Sequence, residues 1–143
     1  MKSSTPADVL FLDTWGWLVL ADARDPAHAK SVALRRARTA LVTTDYVLDE
    51  TFTRLFAKAD FAAAREFSQA ILAAGESGLL RIERITVERF DSAYRMRLRF
   101  RDKPSIPFTD LTSFVVMKEL GLRDVLTADA RFSQVQMGFR VLP

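Results

Sequence analysis

The sequence predicts an α/β protein: a three-layer α/β/α sandwich around a mainly parallel sheet of about five strands. Short apolar runs alternate along the chain with longer segments of helical periodicity, which is typical of a parallel sheet covered by helices on both faces. The length of 143 residues suits one domain, and 49% hydrophobic residues suit a folded core. No repeat or linker divides the chain. We therefore expect a flexible leader over residues 1–8 and a single domain over residues 9–143.

Five short segments have the apolar character of strands. Residues 9–12 form a continuous apolar run closed by Asp13, which indicates a strand buried on both faces. Residues 79–85 alternate apolar with charged side chains, which indicates a strand nearer an edge of the sheet. The predicted strands are residues 9–12, 40–43, 79–85, 125–127 and 139–142.

The segments between these strands have helical spacing and recognisable start and stop signals. Asp25, Asp45 and Thr109 are predicted to cap the helices that follow them. Gly75 and Gly121 are predicted to end helices. One helical face, within residues 86–101, carries Val87, Phe90, Tyr94 and Leu98. The predicted helices are residues 15–21, 26–38, 46–58, 60–74, 86–101 and 109–120, with a short one within 128–135.

The composition excludes several kinds of chemistry. The chain has no cysteine and a single histidine, His28, so a disulfide framework, a thiolate nucleophile and a multi-histidine zinc site are all excluded. If the protein is an enzyme, carboxylates, hydroxyls or basic residues must supply its chemistry. The net charge of +3 slightly favours a polyanionic partner.

No segment predicts export or membrane insertion. The apolar run over residues 9–21 contains Asp13 and is shorter than the roughly 20 residues that a membrane-spanning helix needs. Its removal as a signal peptide would delete the first predicted strand. We therefore expect a cytoplasmic protein with no membrane contact.

Four acids occupy positions that can meet at one edge of the sheet. Asp13 ends the first strand, Asp129 follows the fourth, Asp110 lies in the first turn of a helix, and Glu50 lies on the helix after the second strand. Ligands of open parallel sheets bind beyond the carboxyl ends of the strands. Clustered carboxylates need protons or a cation, and oxygen ligands suit Mg²⁺ or Mn²⁺. Such an ion would support in-line attack of water on a phosphodiester.

Five segments together carry a family resemblance. The chain resembles PIN-domain proteins and, among them, the VapC-type toxin ribonucleases of type II toxin–antitoxin pairs. The resemblance implies a PIN-like fold, an RNA substrate, a cognate antitoxin protein and a homodimer. The segments that carry it are residues 9–14 (VLFLDT), 44–51 (TDYVLDET), 108–114 (FTDLTSF), 126–132 (LTADARF) and 138–143 (GFRVLP).

The resemblance also implies roles for individual residues. The acidic quartet of the family, which holds one or two Mg²⁺ or Mn²⁺ ions for RNA hydrolysis, is matched by Asp13, Glu50, Asp110 and Asp129. Thr127 matches a hydroxyl that supports this site, and Thr14 follows the first acid as in many relatives. Many relatives carry a further acid just after the last one. Here Ala130 and Arg131 occupy that neighbourhood, which leaves the ligands of a second ion open.

A run of basic residues near the predicted site has two interpretations. It is either an ordinary solvated surface or a positive rim that guides the RNA backbone toward the acids. The residues are Arg95, Arg99, Arg101 and Lys103.

Three other functions remain open from the sequence. A non-catalytic RNA-binding or scaffold protein could use the same fold, but it would gain nothing from four mutually repelling acids. A haloacid-type phosphohydrolase needs an Asp-x-Asp pair after the first strand, whereas Asp13 is followed by Thr14 and Trp15. A nuclease acting on DNA instead of RNA is the third alternative.

Overall fold

The computed structural model describes residues 8–143, in which all five predicted strands are present. The predicted leader at residues 1–8 lies outside the described residues except for Asp8. All neighbouring strands are parallel, so the predicted sheet is confirmed. The strands are β1 (Val9–Leu12), β2 (Ala40–Thr44), β3 (Leu80–Glu83), β4 (Asp124–Leu126) and β5 (Arg140–Leu142).

The order of the strands in the sheet is β3-β2-β1-β4-β5, which puts β1 at the centre. Leu10 and Phe11 point to opposite faces of the sheet and both are fully buried, so both faces are covered. This double burial is why β1 is a continuous apolar run. At one edge, Arg81 of β3 is exposed while Leu80 is buried, as the alternating pattern predicted.

Within residues 8–143, seven helices connect the strands and complete the α/β/α layers. The helix before β4 has the most buried sequence, since residues 110–117 are all buried. Its Phe114 packs edge-on against Phe132, with the ring centroids 4.9 Å apart. The helices are α1 (Thr14–Ala21), α2 (His28–Arg36), α3 (Asp45–Lys58), α4 (Phe61–Ser77), α5 (Val87–Arg99), α6 (Phe108–Leu120) and α7 (Arg131–Gln134).

Three predicted helix caps were wrong. Thr44 rather than Asp45 caps α3, because its hydroxyl accepts a hydrogen bond from the Val47 N–H at 3.0 Å. The Asp45 carboxylate instead accepts the N–H of Ile85, 3.0 Å away in the loop after β3. Thr109 lies inside α6, which begins directly after Pro107.

The third wrong cap, Asp25, closes a turn, and one predicted helix end was also wrong. The Asp25 carboxylate accepts the Ala27 N–H at 2.8 Å, and α2 begins only at His28. Gly75 lies within α4, which continues to Gly78, a residue with a left-handed φ of 86°. Gly121 does end α6, as predicted, with a φ of 69°.

Helix α5 turns its large apolar side chains outward. Its buried residues are the smaller or flexible Ala93 and Met96. The predicted apolar face is therefore a solvent-exposed stripe in this chain rather than part of the core. That stripe consists of Val87, Phe90, Tyr94 and Leu98.

A buried ion-pair network joins the strands at their amino ends. Asp124, at the start of β4, accepts Arg38 Nη1 at 2.5 Å and Arg140 Nε at 2.9 Å. The side chains of Asp124 and Arg38 are only 3% and 9% exposed. The network therefore ties β4 to β5 and to the segment before β2. Within residues 8–143, no helix is long and apolar enough to cross a membrane.

Candidate active site

The carboxyl end of β1 supplies the central acid. Asp13 directly precedes α1 and is 6% exposed. Its carboxylate hydrogen-bonds to the backbone N–H of Thr14 but caps no other N–H in the first turn of that helix. Instead its Oδ2 accepts the hydroxyl of Thr127 at 2.9 Å. Burial raises the pKa of Asp13 to about 6, against the lowering effect of its hydrogen bonds with Thr127 and Thr14.

The second acid, Asp110, lies in the first turn of α6 and is also 6% exposed. Its Oδ2 is buried and has no hydrogen-bond partner among the described residues. Burial, followed by a hydrogen bond with the Asp129 carboxylate, raises the pKa of Asp110 to about 8. A neutral Asp110 can therefore share its proton with Asp129.

The third acid, Asp129, is held by contacts on both sides. Its backbone N–H donates to Thr127 Oγ1 at 3.0 Å, so one threonine hydroxyl connects Asp129 with Asp13. Its own carboxylate accepts the backbone N–H of Arg131 at 2.9 Å and Arg131 Nη1 at 3.2 Å. Burial would raise the pKa of Asp129, but the hydrogen bonds with Asp110 and Arg131 hold it below its usual value.

These three carboxylates form a cluster suited to a divalent cation. One oxygen from each of Asp13, Asp110 and Asp129 lies within 4.8 Å of the others. Repulsion among the three acids calls for protons or positive charge between them. The unpartnered oxygen of Asp110 gives a further reason to expect a ligand at this point. All-oxygen donors match the preference of Mg²⁺ and Mn²⁺, so the residues fit a divalent metal ion.

The fourth predicted acid, Glu50, lies outside this cluster but on the same cavity. The cavity has a volume of about 720 Å³, and its walls include Glu50 and all three clustered acids. The Glu50 side chain is 41% exposed and lies 3.8 Å from Arg54 Nη1, one helical turn further along α3. Its negative charge still contributes to the raised pKa of Asp13.

Of the two predicted supporting residues, Thr127 contacts the acids through its side chain and Thr14 does not. The Thr14 hydroxyl points to α3, where it donates to the Val47 carbonyl at 3.4 Å. Thr14 reaches the site through its backbone N–H, which hydrogen-bonds to Asp13. No residue of the predicted basic rim lies in the described walls of the cavity, so the rim's role stays a prediction. The rim residues are Arg95, Arg99, Arg101 and Lys103.

Two cationic residues that the sequence did not single out as site residues line the cavity. Arg54 lies four residues after Glu50, and Arg131 lies two residues after Asp129. The spacing of Arg54 from Glu50 was a usable signal, because residues four apart share a helix face. Arg131 was noted only as a departure from the family pattern.

Fold and site together define a class: an α/β protein with a carboxylate cluster, suited to a divalent ion, at the carboxyl edge of a parallel sheet. The sequence model of the PIN domain matches residues 10–137. The chain therefore belongs to the PIN-domain family.

Individual relatives confirm the predicted resemblance to VapC-type proteins. The 23S rRNA-specific endonuclease VapC20 of Mycobacterium tuberculosis is 31% identical over 126 residues, which cover 87% of this chain and 92% of the relative. The crystal structure of VapC20, described as a sarcin–ricin-loop-cleaving toxin, has a TM-score of 0.78 at 28% identity, covering 92% of this chain and 96% of that one.

A more distant structure supports the fold alone. It is VapBC2 from Rickettsia felis bound to a DNA fragment from its promoter, with a TM-score of 0.70 at 12% identity. The match covers 94% of this chain and 97% of that one.

Proposed function

We propose that this chain is a metal-dependent endoribonuclease that hydrolyses RNA phosphodiester bonds as the toxin of a type II toxin–antitoxin pair. The observation that carries the proposal is the cluster of Asp13, Asp110 and Asp129 oxygens within 4.8 Å. Membership of the PIN-domain family supports it. We further propose that residues 9–143 act as one nuclease domain in the cytoplasm.

In this proposal Asp13, Asp110 and Asp129 hold one Mg²⁺ or Mn²⁺ ion, and Glu50 completes the acidic quartet from the cavity wall. Thr127 fixes the orientation of Asp13 and of the loop that carries Asp129, through its two hydrogen bonds. When bound, the ion supplies an acidified water and positive charge against the phosphate oxygens.

The chain's own groups prepare the site for an anionic substrate. Three carboxylates this close cannot all be ionised without a cation, so a proton between Asp110 and Asp129 limits their repulsion. The partly exposed Glu50 carboxylate can orient a water for in-line attack on phosphorus. The attacking water loses a proton to solvent as its oxygen bonds to phosphorus, the bond from phosphorus to the 3′ oxygen breaks, and that oxygen takes a proton from solvent.

The substrate and partners follow from the relatives. Because VapC20 is named as specific for 23S rRNA, a structured ribosomal RNA loop is the first substrate to test. We propose that a cognate antitoxin inhibits the protein by covering the acidic cavity, and that the active toxin is a homodimer.

Cleavage of a purified 23S rRNA fragment tests the activity. The native protein should cut the fragment in Mg²⁺ or Mn²⁺, and EDTA should abolish cleavage. Asp110→Asn should lower the rate by at least about 100-fold, because it removes a charged metal ligand. Asp49→Asn changes an exposed acid next to Glu50 and should leave the rate unchanged.

Two results would contradict the proposal. Cleavage that persists in EDTA or in Asp110→Asn would exclude the metal–carboxylate mechanism. Tight RNA binding with no cleavage in either metal would instead support a non-catalytic scaffold.

A further inference from the structure

The acidic cavity also contains the side chains of two arginines. Its charged wall residues are the four acids of the quartet together with Arg54 from α3 and Arg131 from α7. The ionised acids alone would repel an RNA backbone. The two guanidinium groups are therefore the cavity's own means of attracting phosphate.

Arg131 is anchored to the site but not buried in it. It contacts both carboxylate oxygens of Asp129, one through its backbone N–H and one through Nη1. Its side chain is 36% exposed. A guanidinium carries five N–H donors, and the contact with Asp129 uses only Nη1, so the group can bind a second anion at the same time.

Arg54 is held more loosely. Its Nη1 lies 3.8 Å from Glu50, too far for a hydrogen bond, and its side chain is 52% exposed. An exposed ion pair of this kind contributes little to stability. The guanidinium can therefore turn toward a stronger anionic partner without a large cost in folding energy.

The topology places these arginines on two sides of the central acid. Helix α3 follows β2, and α7 follows β4, whereas Asp13 follows β1. Because β1 lies between β2 and β4, Asp13 lies between the strands that lead to Arg54 and Arg131. A nucleic acid strand crossing the cavity would meet one arginine before the acids and one after them.

Two basic residues, one in α5 and one in the loop that follows it, have partners outside the cavity. Arg97 donates to the carbonyls of Phe100, Lys103 and Ile106, so it stabilises the end of α5. Lys103 pairs with Asp102 at 2.8 Å. Among the described residues, the basic side chains that line the cavity are those of Arg54 and Arg131.

We propose that Arg54 and Arg131 form a phosphate clamp, binding RNA backbone phosphates on either side of the one that is cut. Guanidinium groups bind phosphate through paired, charge-assisted hydrogen bonds, which suits both residues. The clamp rests on the proposed nuclease function and adds the residues that position its substrate. It also gives Arg131 a purpose where many relatives have an acid.

Binding of a fluorescein-labelled single-stranded RNA in EDTA tests the clamp without any cleavage. Arg54→Gln and Arg131→Gln should each weaken binding by about 5-fold. Each should also reduce the slope of log K against log salt by about 0.7, the value for one lost phosphate contact to a single strand. Arg131→Lys should keep the native slope because it keeps the charge. Arg81 on β3 is about as exposed as Arg54 and lies off the cavity, so Arg81→Gln should bind like the native protein.

Metal binding and cleavage separate this proposal from the previous one. Mn²⁺ titrated without RNA should bind Arg131→Gln at least as tightly as the native protein, because a neighbouring cation has been removed. If the native protein cuts RNA while both glutamine variants keep native RNA affinity and salt slope, the clamp is wrong and the nuclease proposal stands. If the native protein cuts no RNA but both variants lose affinity as expected, the nuclease proposal fails and phosphate binding stands.

Discussion

Asp110 is placed to bind a cation, and the same placement destabilises the fold when no cation is bound. It is buried, it adjoins two further acids, and one of its oxygens has no partner among the described residues. Such an arrangement lowers the stability of the empty site and raises its affinity for positive charge. Function and stability therefore make opposite requirements of this residue.

Replacing Asp110 should reveal that conflict. In EDTA at neutral pH, Asp110→Asn should raise the free energy of unfolding by about 1 kcal/mol, because a neutral amide replaces a buried acid beside two others. Mn²⁺ at about 100 times its Kd should stabilise the native protein by about 2.7 kcal/mol and the variant far less. Urea denaturation with and without Mn²⁺ measures both effects. Equal stabilisation of the two proteins by Mn²⁺ would show that Asp110 is not a ligand.

How far sequence predicts a site depends on where each residue lies. Asp13 and Asp129 follow strands of one parallel sheet, so their approach could be expected from topology. Glu50 projects from a helix surface, where acids are usually solvated, so its position alone was a weak indication and the family resemblance strengthened it. Arg54 and Arg131 were missed because helical spacing gives their neighbours but not the cavity they face.

Among the elements, α1 depends on a close approach to the sheet. A Cβ added to Gly16 would lie 2.5 Å from the carbonyl oxygen of Leu126 in β4. A backbone atom cannot move aside as a side chain can. The absence of a side chain at Gly16 is therefore what allows α1 to pack beside the strand that leads to Asp129.

A pair of glycine substitutions tests this packing. Gly16→Ala should lower the free energy of unfolding by about 3 kcal/mol through the clash with backbone. Gly75→Ala is the matched control, since its added Cβ would meet only the flexible end of Ile82 at 2.8 Å. The gain in helix propensity is about 1 kcal/mol, so Gly75→Ala should be neutral or stabilising. Urea denaturation that ranks the two variants in the reverse order would refute the argument.

Element types were predictable because periodicity reflects burial, but boundaries depend on neighbours from elsewhere in the chain. Asp45 has the chemistry of a cap, yet the Ile85 N–H recruits its carboxylate and leaves capping to Thr44. Gly75 has the chemistry of a helix end, yet α4 continues to Gly78, whose left-handed φ of 86° ends it. Ile85 lies 40 residues from Asp45, so local signals could not show that outcome.

The molecule as a whole is held together at the end of the sheet opposite the acids. Asp124 connects β4 with β5 through Arg140 and with the segment before β2 through Arg38. Hydrogen bonds from Arg140 hold the pKa of Asp124 below its usual value. Burial acts in the opposite direction, and the hydrogen bond from Arg38 lowers this pKa further. A carboxylate with a lowered pKa stabilises the fold above its unfolded pKa and loses this effect as the pH falls through the folded one.

Asp124→Asn should therefore destabilise the protein in a pH-dependent way. At pH 7 the variant should lose about 3 kcal/mol, because Arg38 is left buried without its counter-charge. The difference from the native protein should shrink as the pH falls below about 4, where the unfolded carboxylate takes up a proton, and should be lost once the pH passes the lowered pKa of the folded state. Urea denaturation at pH 7 and pH 3 measures this change. As a control, Asp22→Asn breaks an exposed ion pair and should change the free energy of unfolding little. If Asp124→Asn differs from the native protein by the same free energy at pH 7 and pH 3, the charge of Asp124 is not the cause.

At this scale the sequence predicted the class of sheet but not its order. Alternating strands and helices implied parallel pairing, and the doubly buried β1 was recognisable from its continuous apolar run. Strand order depends on the connections that bring the chain back to the sheet. Strand β4 pairs with β1 although more than a hundred residues separate Phe11 from Val125. No local pattern encodes that return.

The hydrogen bond from Thr127 to Asp13 spans 114 positions of the chain. During synthesis, Asp13 is therefore added long before its supporting hydroxyl and before Asp129. An unfinished chain therefore carries the first acid without the partners that complete the cluster. The cluster of three acids can therefore form only after β4 has docked beside β1.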